Sequence, residues 1–522
     1  MSNLNYISSL PSTDDKRLQI IRRDASGGQN TRKQETHLEE NESSLMQNVD
    51  IGVAGERLKR KGTVQGGNTF GTKACKNLCN FVVDGEVDQL LVMDGTYLRK
   101  WVGSGSFETL KADFTDTTYA SMIHLKESGL APDDIALIQN GTDNAFRVDS
   151  DGNMQDLGDT NTSPPITLVN VWFSNRVWGL KDDLLYFSDA YPADYAGAFD
   201  RTSSVFRIPV GEQRGLIPTR DLGLIIFGQN AVWALAPSLV PDPTTDHPQP
   251  IDVSKGCIAY KTVVQVGEDI MYLSQDGVRS LRRTIQDKLQ GVASFPVSYN
   301  LKLEYDNISW NYVKKATAVY YDNKFFIAVP INSSTYNNSV WVYFPASNSW
   351  TVITGWNVGD FAKYIVNGEE RLYYADAVTG KVYQAWTLYN DNGTAVEYSE
   401  ETRGEDFGLP LHKKVGGEIE VEVAAAGGDY DITVEAAIDG GEYQELGTIN
   451  LASDTAPTLP IDLPFQLSEN YIIREKFHLD DLEAFRTISF RFTNEDANTS
   501  EIKVYGHNVT TFLEEYESES KI

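Results

Sequence analysis

Apolar residues in this chain fall into short runs, each closed by a turn signal and followed by a second run that often carries an aromatic residue. Leu90-Leu91-Val92-Met93 leads through Asp94-Gly95 to Tyr97-Leu98-Arg99-Lys100-Trp101. Asp-Gly between two apolar runs predicts a hairpin, because both turn residues tolerate positive φ. The same pattern returns in 135–138, Asn140-Gly141 and 145–148, with a further turn at Asp151-Gly152. It returns in 175–180, Asp182-Asp183 and 184–187, and in 224–227, Gly228-Gln229-Asn230 and 231–235. Later copies are 270–273, Asp276-Gly277 and 278–281; then 324–329 with 339–344; then 371–374, Thr379-Gly380 and 381–386.

These hairpins recur about every 40–50 residues, with one longer interval, and such a period predicts a β-propeller of about seven blades over residues 76–390. Each unit is a sheet too small to cover both of its faces, and radial packing would supply the cover. The stretch 296–306, with Leu301, Leu303 and Tyr305, interrupts the rhythm and fits either a short helix or an inserted strand.

The flanks read differently. Residues 1–75 are polar and poorly periodic, with the turn-prone Ser26-Gly27-Gly28-Gln29-Asn30, the acidic 37–42 and the basic Arg57-Leu58-Lys59-Arg60-Lys61. An extended N-terminal arm ordered by its neighbours is expected. The basic cluster reads as a solvated strand end or subunit contact, with nucleic-acid contact as the alternative. Residues 391–522 open with a linker at Asp391-Asn392-Gly393. Strict alternation in 418–423 puts Ile419, Val421 and Val423 on one face. The run 431–438 is expected to pair with it across Gly427-Gly428, and 489–493 and 501–506 complete a set. An antiparallel, jelly-roll-like β-sandwich is predicted, followed by an acidic, frayed tail at 514–519.

Composition agrees with an all-β chain. Its 522 residues include 26 Tyr, 22 Phe, 9 Trp and 41 Gly, which suit pleated surfaces and tight turns. The balance of 74 acidic against 45 basic residues gives a net charge of −29. Such a surface disfavours gripping nucleic acid by a general basic face. It suits a wall past which DNA moves unbound, and it equally suits plain solubility. The first residues lack the apolar centre of a signal peptide, and no apolar run reaches the ~18 residues of a membrane span, so synthesis in a cytoplasm is expected.

Candidate chemistry is sparse. Cys75, Cys79 and Cys257 are odd in number, and the C-x3-C spacing of the first two has no second ligand pair for zinc. The histidines at 37, 124, 247, 412, 478 and 507 show no ligand spacing, and no nucleophile elbow, H-E-x-x-H pair or P-loop occurs. Ser150-Asp151-Gly152 and Ser274-Gln275-Asp276-Gly277 miss the spacing of a sialidase Asp-box. In Asp149-Ser150-Asp151-Gly152-Asn153 the glycine is fourth rather than sixth, so a hairpin turn is expected rather than a calcium loop. No catalytic, cofactor-binding or metal-binding residue is assigned, and no enzyme activity is expected.

The order of parts resembles tail hub or nozzle proteins of tailed bacteriophages. The run Gly27-Gly28-Gln29-Asn30-Thr31, then Gln47-Asn48-Val49-Asp50, then Arg60-Lys61-Gly62 is similar to the opening of such proteins. Arg176-Val177-Trp178 with 185–190, and 223–228 with 232–235, resemble two of their blades, and a C-terminal sandwich follows directly. The resemblance implies a virion protein in a ring, commonly a homohexamer. Such a ring would be joined to the tail adaptor and to fibre or spike proteins. It would line or close the channel through which viral DNA leaves without sequence-specific binding. Two other readings stay open. A carbohydrate- or receptor-binding tail module would expose aromatics such as Tyr430, Tyr443, Tyr471 and Phe477. A propeller glycoside hydrolase would need carboxylates converging on the axis.

Overall fold

The computed structural model describes residues 17–117, 119–128, 134–208, 213–426, 428–452 and 472–514. It is an all-β protein made of many small sheets. Each of the seven hairpins read from the sequence falls in its own meander, over 75–111, 121–156, 169–207, 213–252, 264–280, 317–353 and 358–387. Turn chemistry sets several of them. Ser174-Asn175, Asp322-Asn323 and Asn367-Gly368 all have positive φ, the geometry that matches strand twist in two-residue hairpins.

The first strands of successive meanders touch in chain order: Cys75–Phe81 against Ser121–Lys126, that against Val169–Phe173, and that against Gln213–Thr219. The 3-10 turn Tyr260–Thr262, leading into the fifth sheet, touches Gln213–Thr219 on one side and Thr317–Tyr321 on the other. Thr317–Tyr321 meets Val358–Val366, which returns to Cys75–Phe81.

A separate apolar core lies between each neighbouring pair of these sheets. Alternate residues of one strand serve two cores. Leu90 and Val92 pack with Tyr364 and Tyr373 of the seventh sheet, whereas Leu91 and Met93 pack with Met122 and Ala136 of the second. Burial on both faces explains why the second strands are apolar runs rather than alternating ones. Each Leu, Val or Phe so buried contributes about 1.5–3 kcal/mol.

The fifth sheet departs from the rhythm. It has three strands, and where a fourth would lie the chain forms the helix Leu281–Leu289, N-capped by Ser280 Oγ, which accepts from Arg283 N at 3.0 Å. The interrupting stretch at 296–306 ends in the short helix Lys302–Asp306.

In the C-terminal unit two sheets share one core. Lys414–Ala424 pairs with Ile472–His478 and Lys503–Leu513, and Asp431–Ile438 pairs with Gln444–Asn450 and Ile488–Asn494. The expected hairpin of 418–423 with 431–438 is therefore not formed. The two strands belong to opposite sheets, so Ile419 and Val421 face Ile432 and Val434 across the core instead of lying beside them. A side-by-side pair would have left both apolar faces in need of a further cover.

Residues 17–71, expected as an arm, are laid as strands into both units. Arg17–Arg22 pairs with Lys503–Leu513, and Glu42–Gln47 pairs with Tyr398–Thr402. Gln47 also bridges Val352 of the sixth sheet, so one ten-stranded sheet runs from the seven-sheet unit into the C-terminal unit. Gly62–Gly71 is the fourth strand of the seventh sheet, antiparallel to Gly380–Thr387. Glu514 ends the described part, and the rest of the acidic tail lies outside the described residues.

Candidate functional site

The basic run 57–61 is not a solvated strand end. Arg57, Lys59 and Arg60 are buried, and each is held by residues hundreds of positions away. Arg60 uses all five of its N–H donors. Nε donates to Asn48 Oδ1 at 2.8 Å, Nη1 to Asp391 Oδ1 at 3.1 Å and Lys61 O at 3.0 Å, and Nη2 to Asp391 Oδ2 at 2.7 Å and Thr354 O at 3.1 Å. Its guanidinium lies 4.8 Å from the Trp356 ring centroid, and Trp356, Tyr374 and Tyr383 stack onward at 5.3 Å spacings. Asn48, at φ 57°, also donates to Thr354 Oγ1 and Glu397 O and accepts from Thr354 N. Of these groups, Asn48, Arg60, Thr354, Tyr374, Tyr383 and Asp391 line a polar cavity of about 580 Å³ where the sixth and seventh sheets meet the chain entering the C-terminal unit.

Lys59 Nζ donates to Asn494 Oδ1 at 2.6 Å and Asp496 O at 2.8 Å, and burial lowers its pKa to about 8. Arg57 Nε lies 2.9 Å from the Glu400 carboxylate, with both side chains fully buried. Arg22 joins this cluster through Ser43 Oγ, which in turn donates to Glu400. Burial and the neighbouring Arg57 charge lower the Arg22 pKa to about 10.

Of the residues that carry the resemblance, those between Gly27 and Gly62 sit near this junction, and the others lie in the third and fourth sheets. A Cβ on Gly28 would come within 2.7 Å of Trp350 O, and one on Gly62 within 2.0 Å of Asn390 O. Gln29 Nε2 donates to Glu304 at 2.5 Å, and Asn30 Nδ2 to Glu42 at 2.8 Å. In the third sheet, Arg176 donates to Ser188 O at 2.7 Å and Ser188 Oγ accepts from Val177 N at 2.9 Å. These are locking contacts rather than groups presented to a ligand.

The other candidates are structural in their surroundings. All three cysteines are buried thiols outside any disulfide, and burial pushes the Cys79 thiol up to about 12. Asp149 accepts from Asn153 N and Nδ2, closing a hairpin. The Ser274 turn holds Asp276 against Arg279 at 2.7 Å. Among the described residues no group of His, Cys, Asp and Glu is arranged to hold a metal ion. His124 bonds Asp134 at 2.7 Å, and His507 is buried against Phe490 and Phe492. Tyr430 and Phe477 pack at the margin of the C-terminal core, Tyr443 lies 3.8 Å from the Arg491 guanidinium, and Tyr471 lies outside the described residues. Where the first strands begin, Asp360 is taken up by Lys261 at 2.9 Å, Thr317 Oγ1 at 2.7 Å and Leu78 N at 3.1 Å, and Asp116 by Lys76.

No family model and no curated protein sequence matches this chain. Among solved structures, the extracellular domain of a hybrid two-component system from B. thetaiotaomicron is similar at 8% identity and a TM-score of 0.40, covering 63% of this chain and 40% of that one. The AfRom2 CNH domain is similar at 11% identity and a TM-score of 0.37, over 62% of this chain and 98% of that one. An exo-β-1,3-galactanase from Phanerochaete chrysosporium aligns over 94% of this chain and 100% of its own, at 9% identity and a TM-score of 0.26. Likenesses of this size assign no activity to the chain.

Proposed function

We propose that this chain is a structural virion protein of a tailed bacteriophage. In this reading the seven meanders are the blades of a β-propeller, stitched to a jelly-roll-like β-sandwich. Copies assemble as a ring in the tail hub or nozzle, held to the adaptor and lining or closing the DNA exit channel. One observation carries the reading: the N-terminal residues that resemble tail proteins are those that lock the two units together. A body locked in this way transmits force between neighbours, which suits a part of a particle.

Two further points support it. The net charge of −29 would keep a wall from holding the DNA that passes it. A hydrolase would need a free carboxylate pair near the axis, whereas Asp360 and Asp116 are each engaged with a lysine. The duplex would pass through the ring of copies and not through the propeller, across which Tyr260 Oη reaches Ala120 O at 3.4 Å and Lys261 Nζ reaches Lys76 O at 2.6 Å.

Size-exclusion chromatography with light scattering, followed by negative-stain imaging of the purified chain, tests the proposal. Closed rings of several copies are expected. Single copies at every concentration would overturn it.

A further inference from the structure

Of the three buried cations in the run 57–61, two are paired with a carboxylate and one is not. Arg57 lies against Glu400 and Arg60 against Asp391. Lys59 is 1% exposed, and its acceptors are the amide oxygen of Asn494 at 2.6 Å and the main-chain oxygen of Asp496 at 2.8 Å, both neutral. A buried cation held only by neutral groups keeps much of its desolvation cost. Its backbone is fixed: Lys59 pairs with Val49, and its N–H donates to Ile502 O at 2.9 Å.

Asn494 is held as firmly. It is 2% exposed and ends the strand Ile488–Asn494, in the sheet opposite the one that holds Lys59. Its Nδ2 donates to Asp431 O at 2.7 Å and to Asp496 Oδ2 at 2.9 Å. With both amide hydrogens placed, Oδ1 is directed at Lys59. The Oδ1 contact of 2.6 Å and a C=O length of about 1.23 Å put Nζ no farther than about 3.8 Å from Cγ. Reacting atoms in a near-attack pair stand about 3–3.5 Å apart.

The groups needed to exchange one amide for another therefore meet at one place: an amine, an amide carbon, and a carboxylate on the nitrogen that would leave. Burial lowers the Lys59 pKa to about 8, so about one side chain in ten is uncharged and nucleophilic at pH 7. Asp496 is itself fixed, since its Oδ2 also accepts from Asp431 N at 2.9 Å.

We propose that Lys59 Nζ and Asn494 Cγ join in an intramolecular isopeptide bond, with Asp496 carrying the proton. The Nζ lone pair attacks Cγ, and the C=O electron pair shifts onto Oδ1. As the carbonyl re-forms, the Cγ–Nδ2 bond breaks, and Nδ2 leaves as ammonia with the proton that Nζ gives up through Asp496. One amide replaces another, so no oxidant or co-reactant is needed. The product turns an unpaired buried cation into a neutral amide. It also ties the N-terminal strands to the C-terminal unit across 435 positions, whether or not the chain belongs to a virion.

Intact-mass spectrometry of the folded full chain, followed by tandem analysis of its proteolytic peptides, tests it. The expected mass is one ammonia below that of the sequence, with a branched peptide joining Lys59 to Asn494. On a denaturing gel the chain should run faster than Lys59→Met or Asn494→Ala, because the bond closes a long loop. Both variants should keep the full mass of their own sequences. Asp496→Ala retains both reacting groups, and in a time course after cell-free synthesis it is expected to cross-link about a hundredfold more slowly. The wild-type mass is decisive even where a variant fails to fold. A folded wild-type chain of full mass, a loss of ammonia mapped to another residue, or cross-linking of Asp496→Ala at the wild-type rate would each overturn the proposal.

Discussion

Arg60 and Asp391 are 331 positions apart, yet they meet through two parallel nitrogen–oxygen contacts of 3.1 and 2.7 Å. Trp356 Nε1 adds a third donor to the same carboxylate at 3.2 Å. The pair ties the strand that enters the seventh sheet to the chain that leaves it. It is bidentate and almost dry on the arginine side, with 1% of that side chain exposed.

Removing one partner should therefore be costly. Asp391→Ala leaves the buried Arg60 without its counter-charge, and a loss of about 3 kcal/mol is expected. The midpoint of urea unfolding should fall, and proteolysis should begin near residues 391–397. An unchanged midpoint would show that the two units hold together without this pair.

Gly62 tests the same junction sterically. An added Cβ would stand 2.0 Å from Asn390 O, and that atom is backbone, so it cannot turn aside. Gly62→Ala should cost about 1–3 kcal/mol, as overpacking of a filled site does. Gly85→Ala is a useful contrast, because its Cβ would meet nothing within 4 Å and only its φ of +79° opposes the change. Differential scanning calorimetry of both variants should show the larger loss at Gly62.

His507 gives the C-terminal unit a dependence on pH. It is buried, neither ring nitrogen has a partner among the described residues, and burial with the Arg57 and Arg22 charges beside it lowers its pKa well below the ordinary value of 6.5. Glu400, Glu405 and Arg403 complete the charged groups of this cluster. Below about pH 6.5 the unfolded chain binds a proton that the folded chain refuses, so stability falls as pH falls. Above that value the contribution is complete. The slope is at most about 1.4 kcal/mol per pH unit. Urea midpoints of the wild type should drop between about pH 7 and pH 5 more steeply than those of His507→Phe. Parallel pH profiles for the two proteins would refute this account.

Much of the seven-sheet unit was legible because its signals are local. Asn-Gly, Asp-Asn and related turn pairs set hairpins within a few residues, and β-branched and aromatic runs declare strands on either side. The helix Leu281–Leu289 was missed because an apolar hairpin strand flows straight into it and masks its start. The resemblance did mark Arg60 and Gly62, but not the partners that explain them.

The chain's own order of residues determined where the hairpins of the seven-sheet unit form, and that each of its sheets would need cover on both faces. Only the tertiary structure decided what supplies that cover across long separations. It placed Gly62–Gly71 as the last strand of the seventh sheet and Glu42–Gln47 between the two units. It also put Arg57, Lys59 and Arg60 inside, where a basic run ordinarily lies in water. The physical reason is that burying a cation is tolerable only beside a fixed acceptor. Those acceptors, Glu400, Asn494 and Asp391, are brought near by pairing between strands hundreds of residues apart, which leaves no periodic trace in the sequence.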